Sequence, residues 1–110
     1  MPGLNDLAQA VYNNAEAHGF HETNPDWGNR LLLIVSEITE AQDELRNGRF
    51  PGERYYSQDG KPEGVPSELA DVIIRTLDLM VEMGIDNIED VVSEKIIYNQ
   101  SRPYKHGKEF

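Results

Sequence analysis

The residues with the most evident capacity for chemistry are carboxylates at short, repeated spacings. Glu37, Glu40 and Glu44 form one set, and Glu68 and Asp71 form another. On a helix turning about 100° per residue, Glu37 and Glu40 lie about 60° apart with Glu44 between them, so the three share a face. Glu68 and Asp71 repeat the three-residue step. Like charges so placed repel by about 0.2–0.5 kcal/mol per pair. If the two stretches pack antiparallel, the sets converge, and four carboxylates around one cavity stay ionised only beside a cation. A hard divalent ion such as Mg²⁺ takes oxygen ligands of this kind, keeps some waters and shares substrate phosphate oxygens. The same spacing also describes an ordinary solvated helix face. Glu68 suits the positive end of a helix, and Asp71 shares its strip with Arg75, Asp78 and Glu82.

A second group is complementary in charge. Ile88, Val91 and Val92 define an apolar stripe whose continuation lands on Lys95 and Asn99, where a core pattern would place Leu or Ile. Either these two side chains snorkel or pair at the surface, or they face the carboxylate cavity, Lys95 neutralising phosphate charge and Asn99 hydrogen-bonding it. Residues 95–110 hold four of the ten basic residues (Lys95, Arg102, Lys105, Lys108), whereas fifteen of the twenty acids lie between Glu37 and Glu94. That asymmetry suits a ligand carrying a bound metal and free phosphate oxygens. Trp27, near His21 and Asn24, is placed either to stack on a base or to anchor its loop. Tyr55, Tyr56 and Tyr104 are further aromatic candidates.

Four helices must position these groups. Leu4, Leu7, Ala8, Val11, Tyr12 and Ala15 predict a first helix over about 3–18, with Gly19 beyond its end. Leu31, Ile34, Val35, Ile38, Ala41 and Leu45 predict a second over 28–46. Four Gly and three Pro between Gly48 and Pro66 exclude a helix there, leaving at most a short extended piece at Tyr55-Tyr56. The third helix, from Pro66 or Ser67 to Met83, is apolar around more than half its circumference and is expected to be largely buried. Asp86 and Glu89 form a capping-box pattern opening the fourth, over 87–100. Residues 101–110 form a basic, aromatic tail. The expectation is one all-α, four-helix bundle-like domain over residues 1–110, with a long Gly/Pro-rich loop between helices 2 and 3.

Composition narrows the classes. Cysteine is absent, which excludes disulfides, thiolate metal sites and a Cys nucleophile. The longest apolar run, Leu31–Val35, is far below the ~18 residues of a membrane span, and the start lacks a signal-peptide pattern. A net charge of −10 disfavours a nucleic-acid polymer. The expectation is a soluble, cytoplasmic protein without a membrane partner.

Ser36-Glu37-Ile38-Thr39-Glu40-Ala41 followed by Glu68-Leu69-Ala70-Asp71 resembles the signature of the MazG-like all-α nucleotide pyrophosphohydrolases. The likeness extends over about residues 28–108, through Lys95, Asn99 and the Ser-Arg-Pro-Tyr-Lys-His ending, and is to short stand-alone members. The 27 residues from Ala41 to Ser67 are near the upper limit of the family's spacing. The resemblance implies hydrolysis of a nucleoside triphosphate between the α and β phosphates, giving the monophosphate and pyrophosphate. It implies Glu37, Glu40, Glu68 and Asp71 as ligands of Mg²⁺, or Mn²⁺ in its place, with Glu37 or Glu40 activating water. Lys95, Asn99 and Arg102 would cradle phosphates, and the chain would form a homodimer or homotetramer; Trp27 and Tyr104 are the candidates for base or sugar contact by position alone. Ser36 departs from the pattern, which has a Glu there; this bears on a further metal or base, and Glu44 is the nearest replacement. Two other readings stand beside this one. One is a non-catalytic helical module on the same scaffold, and the other is a phosphoribosyl-ATP hydrolase, for which no residue argues.

Overall fold

The computed structural model describes residues 3–103. Four helices, α1 (Leu4–Ala17), α2 (Trp27–Arg46), α3 (Val65–Glu82) and α4 (Ile88–Gln100), contain nearly all its regular structure. The strands β1 (Tyr55–Tyr56) and β2 (Pro62–Glu63) form an antiparallel ribbon, Tyr55 opposite Glu63, inside the long α2–α3 connection. The all-α expectation is met, and the short extended piece falls at Tyr55-Tyr56.

Local chemistry sets the helix ends. Asp26 caps α2, its side chain accepting from Asn29 N at 3.1 Å. Pro66 sits in the first turn of α3, where a missing N–H costs nothing. Gly64, just before it, has φ +106°, and a Cβ there would stand 2.4 Å from the Glu53 carbonyl oxygen. Only glycine lets the ribbon fold back so closely. The expected Asp86–Glu89 capping box does not form. Asn87 caps α4 by accepting from Asp90 N. Glu89 is instead drawn to α1, where it accepts from Asn5 N at 2.8 Å, while Asn5 Oδ1 accepts from Glu89 N.

Helix α3 packs against both α1 and α2, and α4 packs against α1. Ala8, Leu77 and Ile88 are the buried centre of the core, ringed by Leu4, Leu7, Val11, Met80, Val81 and Ile85. Arg30 meets Glu82 and Glu37 meets Arg75, so α2 and α3 run antiparallel.

Two burial expectations are overturned. Helix α3 is not largely buried, since Leu69, Ile73 and Ile74 are each about half exposed. Helix α2 turns Glu37 and Ala41 towards α3, and leaves Leu31, Val35 and Ile38 about half exposed. Among the described residues no element covers that side. Its accessible surface is 8326 Å², against about 6200 Å² for a compact monomer of its mass.

Candidate metal centre

Antiparallel packing brings the two carboxylate sets together. Oxygens of Glu37, Glu40 and Glu68 lie within 4.8 Å of one another. An octahedral Mg²⁺ sets opposite ligands about 4.2 Å apart, so these three nearly span one ion. Asp71, one turn along α3 from Glu68, borders with Glu37 a cavity of about 670 Å³ that has an apolar wall of Val11, Leu33 and Ile74. Glu37 is buried at 7% exposure, Glu68 is half-buried and Glu40 faces solvent.

Without a cation the cluster is neutralised in other ways. Burial, a hydrogen bond to Glu40, and the charges of Glu40, Asp71 and Glu37 push the Glu68 carboxyl up to about 7. The protonated form of Glu68, facing Glu40, is therefore favoured as pH falls below about 7. Asp71 is also raised, by desolvation and then by Glu37, with Arg75 and Lys61 opposing. Glu37 is compensated by Arg75, whose Nε donates to Glu37 Oε1 at 2.7 Å. An all-oxygen donor set from two rigid helices, with acids raised by one another, fits a hard divalent ion. Glu44 is engaged elsewhere, accepting from the Tyr55 hydroxyl at 2.8 Å, so it does not stand in for a carboxylate at Ser36. The Ser36 hydroxyl donates to the Leu33 carbonyl at 2.8 Å.

The other expected site residues lie elsewhere in the chain. Trp27 begins α2, 38% exposed, beside a groove of about 500 Å³ shared with Tyr12, His21 and Glu82. Lys95 and Asn99 are exposed on α4 and do not border the cavity beside Glu37. The Lys95 ammonium and the Arg102 guanidinium lie 5.2 and 5.7 Å from the Tyr98 ring. Tyr104 lies outside the described residues, as do Lys105, His106 and Lys108.

Three residues do more than the sequence indicated. Arg75 reads there as part of a solvated strip; its place four residues after Asp71 and seven after Glu68 was the available signal. His21 bonds Glu16 through Nδ1 and Asp78 through Nε2, the latter at 2.8 Å, and stacks on Tyr12 with centroids 4.4 Å apart. Burial opposes protonation of His21, but the bonds to Glu16 and Asp78 outweigh it and raise its pKa. Arg30 Nη2 donates to Glu82 Oε2 at 2.9 Å and Nη1 donates to the Phe20 carbonyl, tying the 18–26 connection to both helices. Nothing local in the sequence pairs these residues.

No family model, no curated protein and no solved structure matches this chain. No described helix is long and apolar enough to cross a membrane.

Proposed function

We propose that the chain is a MazG-like nucleoside triphosphate pyrophosphohydrolase, cleaving between the α and β phosphates. The observation that carries the reading is the convergence of Glu37, Glu40 and Glu68 within 4.8 Å from two helices, with Asp71 beside Glu37 on the wall of a cavity. These four residues hold the divalent ion, Mg²⁺ or Mn²⁺. A bound ion supplies the charge that polarises the phosphates and offsets negative charge developing in the transition state. Glu40 is the better placed of the two candidate bases, because it faces solvent and can orient or deprotonate a water, whereas Glu37 is buried against Arg75. The apolar wall of the cavity receives the nucleoside.

A homodimer or larger assembly belongs to the same reading. Leu31, Val35 and Ile38 form a stripe for a second copy to cover. Lys95, Asn99 and Arg102, absent from the walls of this cavity, contact phosphates within that assembly.

Purified protein with Mg²⁺ and a panel of dNTPs and NTPs is expected to release pyrophosphate, and Glu40→Gln with Asp71→Asn to abolish release. Absence of cleavage with every triphosphate and every divalent ion refutes catalysis. It would leave the second reading, a non-catalytic helical module, which one observation favours: Ser36 directs its hydroxyl to its own helix rather than to the cluster.

A further inference from the structure

Arg75 stands on the same face of α3 as the proposed ligands Glu68 and Asp71, and its contact with Glu37 links the cluster to the cavity. The Glu37 side chain is 9% exposed and that of Arg75 is 47% exposed. The acid is thus fixed in the helix interface while its cation remains at the surface, on a long stem free to rotate. Arg75 meets Glu37 through Nε, so the two terminal nitrogens of the fork are not used on that carboxylate. Arg75 also borders the cavity of about 670 Å³ along with Glu37, Asp71 and Asp78. A divalent ion bound to Glu37 draws charge from the carboxylate and repels the nearby guanidinium, so the ion and Arg75 compete for Glu37.

Building on the proposed metal site, we propose that Arg75 is a displaceable internal counter-ion. It holds Glu37 in the metal-free protein, and it turns into the adjoining cavity as a phosphate contact when a divalent ion takes Glu37. Metal loading thereby creates an anion site that the metal-free protein lacks, and metal and polyphosphate bind with positive linkage. Arg75 acts on the carboxylates by competition and on the anion directly, its planar fork matching phosphate oxygens.

Two measurements test this. In the wild-type protein, the ¹⁵Nε–¹H NMR signal of Arg75, assigned by its loss in Arg75→Gln, is expected to be shifted and slow to exchange without metal. It is expected to move to the position of a free guanidinium as Mg²⁺ is added. Calorimetry with Mg²⁺ alone is expected to give about tenfold tighter binding to Arg75→Gln, the loss of one competing charged hydrogen bond. An Arg46→Gln control, which removes a cation elsewhere, should leave Mg²⁺ affinity unchanged. Inorganic tripolyphosphate, titrated at saturating Mg²⁺, should bind Arg75→Gln more weakly than wild type. An Arg75 signal unmoved while Mg²⁺ binds overturns the inference and leaves the metal site standing, as does equal Mg²⁺ affinity of wild type and Arg75→Gln. Absence of Mg²⁺ binding to both proteins overturns the metal site, and the inference with it. Binding to Arg75→Gln alone supports the inference in its strongest form, with Arg75 blocking the site.

Discussion

Glu68 and Asp71 near the start of α3 and Asp78 and Glu82 near its end share one helix face, yet their surroundings are opposite. At the far end each acid has a cation from another part of the chain. Asp78 accepts from His21 at 2.8 Å and Glu82 from Arg30 at 2.9 Å. At the near end the acids face Glu37 and Glu40, where burial and these neighbours raise the Glu68 carboxyl to about 7, and the cation present is a half-exposed Arg75 on Glu37. The far end has its counter-charges within the chain and fastens the 18–26 connection to α1 and α3. The near end is made of groups that a stronger cation can replace. Acid count and helix spacing alone do not distinguish a structural polar face from a site; the source and mobility of the counter-charge do.

The largest effect is expected at the far end. Glu82 is 92% buried in its side chain, and its Oε1 has no hydrogen-bond partner among the described residues. Arg30→Met leaves that carboxylate buried without its cation and should cost about 3–5 kcal/mol in urea denaturation. A loss below about 1 kcal/mol would show that the two ends are not different in kind. Arg75→Gln should be far milder, since its side chain is half exposed.

Metal binding comes next. Mg²⁺ at one hundred times its dissociation constant should stabilise the wild type by about 2.7 kcal/mol, read as a rise in melting temperature. Glu40→Gln with Asp71→Asn should remove the rise. A conservative change at the far end, His21→Gln, should retain it, and its loss there would mean that the two ends are coupled.

The third test is in pH. Glu68 is raised from 4.5 to about 7 on folding, so between these values the native state holds more protons than the unfolded one. Stability of the metal-free protein therefore falls as pH rises through that window. Glu68→Gln should flatten this slope. His21, also raised, contributes stability that is complete below its ordinary 6.5 and lost as pH passes its folded value. Both groups titrate just above pH 6.5, so each single variant should flatten the decline there only in part, and Glu68→Gln with His21→Gln should remove it. A slope unchanged by Glu68→Gln would place the shared proton elsewhere.

Much of this arrangement was legible in the sequence. Helical periodicity located four helices to within a residue or two, and the Gly/Pro-rich stretch marked the connection that contains the ribbon. A 100° step put Glu37 with Glu40 and Glu68 with Asp71, and antiparallel packing did the rest. The orientation of α2 was not legible. Its Leu31–Val35–Ile38 stripe and its Glu37–Ala41 stripe are both continuous, and periodicity does not say which one faces α3. The partners of the acids were equally hidden, because Arg75 and Glu37 are 38 residues apart and His21 and Asp78 are 57 apart. The cap of α4 was misplaced by one residue because Glu89 is claimed by α1, a tertiary contact that no local motif encodes.

The bracket formed by Gly64 and the Tyr55–Glu44 bond has a consequence for how this chain can be altered. Both ends of the ribbon are fixed, one by a backbone approach that admits no side chain and the other by the Tyr55 hydroxyl, which donates to Glu44 on α2. Between them Gln58, Asp59 and Gly60 are exposed, in a turn that Gly60 N closes by donating to the Ser57 carbonyl at 3.0 Å. Each doubling of such a loop costs only about 0.6 kcal/mol. A foreign segment inserted there leaves Glu68 in register, whereas one inserted after Gly64 moves it. The long connection is thus a port for grafting, its tip open to new sequence and its base closed.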